Sequence, residues 1–204
     1  ATKDAYQEHL YTQEMQGQYG WIVAKQSLYF QKPIHLDDEL TIVTNAHKAH
    51  PVIFPRSYQL IVNNDIVAKG YSIWTLIDLK NRRIVRPKTL GIIIPERDKM
   101  EVEPTTLFER EDVIFQHAIK VSYSDLDTNG HMNNTRYIAH GYDLLPVDYL
   151  RQHTCTQIDI NYKKEVRYGE MLDLYSRLEN DCFHVEGYVG EEVCFIIEIQ
   201  MKRI

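Results

Sequence analysis

A chain of 204 residues, 44% hydrophobic and 25% charged, has the composition of an ordinary globular protein, long enough for one large or two small domains of ~100–200 residues each. No apolar run approaches the ~18 residues that a membrane span needs, and a formal net charge of -6 argues against broad nucleic-acid binding, which requires a concentrated basic surface. The opening residues ATKDAYQEHL have neither a basic start nor an apolar core, so no secretory signal is expected and the protein is expected in the cytoplasm.

In chain order, a helical segment is predicted over roughly residues 4 to 16. LYFQKPIHLDDELTI, residues 28–42, then reads as strand, charged bend, strand. Two further alternating runs follow, SYQLIV and IVAKGYSIWTLID, joined at a hairpin turn, Asn63-Asn64-Asp65. His47 and His50, in HKAH, have no carboxylate or cysteine beside them and are predicted to lie in a solvated loop rather than to bind metal. Residues 80–112, rich in charge and containing Pro87, Pro95 and Pro104, are predicted to connect two halves. A strand over about 113–124 comes next, then the polar stretch YSDLDTNGHMNNTRY, then a helix over about 134–145. Asn133 or Asn134 suits its N-cap, Tyr137, Ile138, Gly141, Leu144 and Leu145 recur at helical spacing, and Pro146 stops it. Gly141 inside that helix suggests close approach to a sheet. The second half closes with INYKKEVRYGEMLDL, residues 160–174, and with CFHVEGYV and VCFIIEIQMKRI around a turn at Gly190-Glu191-Glu192.

These halves repeat. Residues 28–42 align without a gap to residues 160–174, an offset of 160 minus 28, or 132: Leu28 matches Ile160, Phe30 matches Tyr162, Lys32 matches Lys164, Ile34 matches Val166, and Leu40 and Ile42 match Leu172 and Leu174. The order helix, then four strands, occurs twice. One helix and a run of antiparallel strands fit an α+β unit in which the sheet wraps around the helix, and two such units in tandem are expected to pair as a pseudo-dimer. We expect a first domain at 1–88, a linker at 89–112 and a second domain at 113–204. The counterpart of the 113–124 strand falls before residue 1, so the first unit is expected to lack its opening strand, or the true N-terminus to lie ahead of Ala1. The three cysteines, Cys155, Cys182 and Cys194, are odd in number and form no CxxC pair, which argues against a disulfide framework and a zinc ribbon. No metal or cofactor is expected.

Asp127, Asn129 and His131 occupy alternate positions just before the helix, and in an extended chain they leave the same face. A carboxylate, an amide and an imidazole together can orient a water, accept a proton and hydrogen-bond an oxyanion. The same residues are also those of an ordinary polar turn. The first copy has no counterpart to this row, and Pro33 stands there where the second copy has Glu165. Only the second half can carry this chemistry. The first is left to line an apolar cavity with Trp21, Phe30 and Trp74, unless these are simply core.

DLDTNGHMNN followed by NYKKEVRYGE resembles the acyl-acyl-carrier-protein thioesterases of plants and bacteria, a tandem hotdog family with the pattern D-x-N-x-H-x-N-N and a later glutamate on the next long strand. WTLIDLKNRRIVRP, residues 74–87, also looks like the family's strand ending in an Arg pair. The resemblance implies hydrolysis of fatty acyl-carrier-protein thioesters by Asp127, Asn129, His131 and Glu165. Plant members have a cysteine directly after the glutamate; this chain has Val166, which excludes a thiolate there and leaves attack by water, with Glu165 or His131 as general base. Strand parity puts Ile158, Ile160, Tyr162 and Val166 on one face and Asp159, Asn161 and Glu165 on the other, so Glu165 reaches the helix side only if a bulge lies near Lys163-Lys164. The implied partner, acyl carrier protein, is strongly acidic. Arg82 and Arg83 in the Lys80–Lys88 run, and Lys163, Lys164 and Arg167 beside the site, are candidate docking residues, or else solvated linker and strand edge. Rival expectations are an acyl-CoA thioesterase on the same fold, a dehydratase on this scaffold and a non-catalytic acyl-binding module. A tandem pseudo-dimer fits a monomer or a homodimer.

Overall fold

A computed structural model describes residues 15–93 and 96–204. The chain divides into two compact units, one running to Gln26 and resuming at Gln31–Pro104, the other made of Ser27–Phe30 and Thr105–Ile204. Residues 89–112, expected as a linker, are shared between them. The helix predicted over residues 4 to 16 falls, but for its last two residues, outside the described residues. No helix among the described residues is long and apolar enough to cross a membrane.

The first unit is built from β1 (Tyr19–Phe30, whose last four residues go with the second unit), β2 (Thr41–Ala46), β3 (Phe54–Val62), β4 (Asp65–Asp78) and the short β5 (Arg83–Ile84). Its strand order is β2-β3-β4-β1, with β5 paired to β4. Val62 pairs with Asp65 across a two-residue loop in which Asn63 and Asn64 have φ of 50° and 68°. Both central residues at positive φ is the hairpin geometry that matches strand twist, and asparagine tolerates it better than most residues. Trp21 packs edge-on against Phe54, with ring centroids 4.7 Å apart. The HKAH stretch lies at the β2–β3 turn, where His47 Nε2 is 2.7 Å from Ser57 Oγ.

In the second unit come β6 (Ile114–Lys120), a 3-10 turn at Tyr123–Asp125, α1 (Asn134–Tyr142), α2 (Val147–Leu150), β7 (His153–Tyr162), β8 (Met171–Glu179), β9 (Cys182–Val189) and β10 (Glu192–Arg203). The order β7-β10-β9-β8-β6 is antiparallel throughout. Alternation gives this sheet one apolar face: Ile158 and Ile160, Phe183 and Val185, and Phe195, Ile197 and Ile199 are buried in a single core with Tyr137 and Leu145. Gly141 brings α1 close to that face, as its place in the sequence suggests, since a Cβ there would lie 3.4 Å from Ile197 Cδ1 and 3.8 Å from Val185 Cγ2.

The opposite face is polar yet covered. Asn161 Oδ1 accepts the Leu107 N–H at 2.9 Å and its amide donates to Thr105 O at 2.8 Å, while Glu186 Oε1 accepts the Arg110 N–H at 2.7 Å. The segment 105–110 thus straps this face through hydrogen bonds to buried side chains, which satisfies groups that would be costly to bury alone. His184 lies between Glu186 and Glu198 at 2.8 and 3.1 Å. Burial by itself would lower its pKa, but the two carboxylates outweigh that and raise it.

Phe195 lies across Gly187, its register partner on β9, so closely that a Cβ there would stand 2.0 Å from Phe195 Cε1. Gly187→Ala is expected to destabilise the protein by about 1–3 kcal/mol, as overpacking does. Urea denaturation checks this, and a midpoint equal to the parent's would contradict it.

Candidate active site

The chain between the 3-10 turn and α1 is not extended. Leu126 and Met132 pair as an isolated bridge, the Asp127 N–H donates to His131 O at 2.8 Å, and Gly130 turns the chain at φ 77°. Asp127, Asn129 and His131 therefore sit around a tight turn instead of forming a row on one strand face, which corrects the extended reading. The cause is local. The Asp127 carboxylate accepts the backbone N–H groups of Asn129 at 2.8 Å and His131 at 3.2 Å, an arrangement that competes successfully with extended backbone. It also accepts from Asn129 Nδ2 at 3.1 Å, which fixes the amide.

Glu165 comes to the same place by a break in β7. The N–H groups of Lys163 and Lys164 both donate to Cys194 O, at 2.8 and 3.0 Å, so one carbonyl of β10 serves two consecutive residues and strand parity is lost after Tyr162. The carboxylate that regular alternation would send to the polar face instead meets the imidazole: Glu165 Oε2 is 3.3 Å from His131 Nε2. Both side chains remain about one-quarter exposed, at 29% and 24%, so the pair is reachable by water. Behind it the Met132 N–H donates to Val166 O at 2.8 Å, and His131 bridges Arg167. Val166, directly after Glu165, is fully buried.

A second carboxylate, absent from the sequence reading, anchors the loop. Asp125 is buried and accepts the backbone N–H and hydroxyl of Ser122 at 2.9 and 2.7 Å, Arg136 Nε at 2.9 Å and His140 Nε2 at 3.0 Å, while its own C=O takes the Asn133 N–H at 2.7 Å. Burial alone would raise its pKa; the bonds from Ser122, Arg136 and His140 overcome this and hold it well below the usual carboxylate range. The three-residue spacing of Ser122 and Asp125, a capping box, was the signal available in the sequence. Asn133, rather than Asn134, caps α1 by accepting the Thr135 N–H at 3.0 Å.

Of the remaining predicted residues, Lys163, Lys164 and Arg167 are exposed on the segment that carries Glu165, with Lys164 paired to Glu192. Arg82 and Arg83 are exposed in the first unit. Trp74 Nε1 donates to Ser72 Oγ at 2.8 Å and, like Trp21, belongs to the first unit, whereas Phe30 packs on the core of the second. All three cysteines are free, and burial pushes their thiols up, which disfavours the thiolate form. Among the described residues no group of three His, Cys, Asp or Glu is arranged to hold a metal ion.

An antiparallel sheet packed on one helix, with its polar groups gathered at the helix start, places the second unit in the hotdog class. The chain belongs to the acyl-ACP thioesterase family: residues 5–89 match the model of the family's N-terminal domain and residues 108–195 that of its C-terminal domain. It is 24% identical over 146 residues to a chloroplastic palmitoyl-acyl carrier protein thioesterase of Gossypium hirsutum, covering 64% of this chain and 34% of that protein. The chain thus spans about a third of the length of that curated relative. Among solved structures, an acyl-ACP thioesterase from Bacteroides thetaiotaomicron has a TM-score of 0.77 at 22% identity, covering 91% of this chain and 77% of that one. The 12:0-ACP thioesterase from Umbellularia californica has a TM-score of 0.81 at 14% identity, covering 95% and 79%.

Asp125→Asn removes a charge that four donor groups satisfy, and is expected to cost about 2–4 kcal/mol at neutral pH. Because the folded carboxyl titrates below its unfolded value, the parent's advantage is present above that unfolded value, ~3.9, and shrinks as pH falls through and below it. Denaturation midpoints of parent and variant between about pH 3 and 7 check this; a gap that widens toward acid would refute it.

Proposed function

We propose that this protein hydrolyses the thioester of a fatty acyl-acyl-carrier protein, releasing the free fatty acid and ending chain elongation. The observation that carries this reading is the 3.3 Å approach of His131 Nε2 to Glu165 Oε2, beside an amide held by Asp127. A water bound at the pair loses a proton to Glu165 or His131 as its oxygen attacks the carbonyl carbon. Negative charge collects on the carbonyl oxygen, where the second N–H of the Asn129 amide can donate. Collapse of the tetrahedral intermediate breaks the C–S bond, and the departing thiolate recovers a proton from the pair. Asp127 touches no substrate in this scheme and acts by holding Asn129 and the His131 backbone. Water is the nucleophile because Val166 follows Glu165 and the three thiols are held protonated by burial. Membership of the family supports the carrier-linked fatty acyl substrate.

Purified protein incubated with a panel of acyl-carrier-protein thioesters, alongside the matching acyl-CoA thioesters, is expected to release free fatty acid and to favour the carrier-linked substrate. Glu165→Gln and His131→Ala are each expected to lower kcat by about 10²–10⁴-fold. Retention of parental rates by either variant would remove that residue from the mechanism, and preference for the CoA esters would reassign the carrier.

We further propose that Lys163 and Arg167, exposed beside the pair, attract the acidic carrier, while Trp21, Phe30 and Trp74 are assigned to the acyl chain. Reversing charge at Lys163 and Arg167 together is expected to raise KM for the carrier-linked substrate, most at low salt, and to spare a small acyl thioester. Equal effects on both substrates would exclude docking.

A further inference from the structure

The two members of the pair stand on separate stretches of chain, and the residues that follow them are joined by a backbone hydrogen bond. Met132, after His131, donates its N–H to Val166 O at 2.8 Å. Val166, after Glu165, donates its own N–H to the phenol oxygen of Tyr137 at 3.2 Å. Tyr137 comes from α1, is 2% exposed, and has its ring set edge-on between Tyr162, at 5.5 Å between centroids, and Phe195, at 5.1 Å. Neither ring nor oxygen has room to wander. Tyr162 is the last residue of β7 before the break that turns Glu165, and Phe195 is its register partner on β10. The peptide between Glu165 and Val166 lies past the end of β7 and has no place in its ladder, so its N–H needs a partner from elsewhere.

We propose that Tyr137 is a positioning residue for the His131–Glu165 pair, acting through the Glu165–Val166 peptide whose N–H it holds. The helix that fills the core thereby also sets the distance between the two reacting groups. A displacement of about 1 Å at such a pair is enough to cost on the order of a hundredfold in rate. Burial pushes the phenol up to about 12, so the oxygen stays neutral and this bond does not change over the ordinary working range of pH.

Tyr137→Phe keeps the ring and its edge contacts and removes only the acceptor. Its kinetic consequences rest on the hydrolytic reading above; its structural consequence does not. In a crystal structure of the variant, the His131 to Glu165 distance is expected to open beyond hydrogen-bond reach. With an acyl-carrier-protein thioester, kcat is expected to fall about tenfold to a hundredfold with KM unchanged. Tyr188→Phe serves as the matched control, because it also removes a partly buried phenol bond, the 2.6 Å contact to Glu186, on the sheet's other face. It is expected to keep the parental spacing and kcat. Parental spacing in Tyr137→Phe, or an equal loss of kcat in Tyr188→Phe, would overturn the proposal. Amide exchange in the unaltered protein tests the same bond without any variant: the Val166 N–H is expected to be as protected as the amides of β7, and rapid exchange would overturn the proposal. A parent that cleaves no thioester would defeat the hydrolytic reading alone, since spacing and exchange still decide the role of Tyr137.

Discussion

Everything at the site depends on one carbonyl that serves two amides. Cys194 O accepts from both Lys163 and Lys164, and this doubled bond uncouples the chain from the alternation of β7. Up to Tyr162 the strand sends apolar groups to the core and Asp159 and Asn161 to the strapped face. Past the break, Glu165 turns toward His131 while Val166 goes into the core. A regular strand can deliver a buried valine or a reachable carboxylate on the helix side, but not both at adjacent positions.

Polar groups are kept in register by hydrogen bonds that tie buried or half-buried side chains to the backbone and the turn to its neighbours. Asp127 organises the turn through two amides, Asp125 ties its base to Ser122 and to α1, and Met132 joins the turn to the stretch carrying Glu165. Such cross-links hold a short polar loop with the rigidity of the sheet it borders, as acid–base chemistry requires of its groups. The energetic cost of burying Asp125 is offset by the donors that reach it, two from Ser122 and two from α1. The strapped face uses the same economy, with Asn161 and Glu186 holding residues 105–110 in place of an apolar layer.

Much of this was legible in the residues. Alternation and the turn chemistry of Asn63-Asn64 and Gly190 located the strands, the 132-residue offset exposed their repetition, and Gly141 marked the close packing of α1 on Ile197. These features depend on side chains a few positions apart, and so they survive in a one-dimensional reading. The alternate spacing pointed to Asp127, Asn129 and His131, the family resemblance added Glu165, and the need for an irregularity near Lys163 followed from counting parity.

What spacing could not supply was the path of the chain through those residues. Alternate positions suggested an extended row, yet Asp127 folds the stretch into a turn because two backbone N–H groups lie within reach of its carboxylate. Asp125 escaped notice for a related reason: a short capping pattern does not reveal that Arg136 and His140, eleven and fifteen residues on, return to it. The residue types that can do the chemistry were determined by sequence alone. Whether they meet was decided by tertiary structure, since the 3.3 Å between His131 and Glu165 depends on bonds from β10 and α1 to a stretch of chain that neither adjoins in sequence.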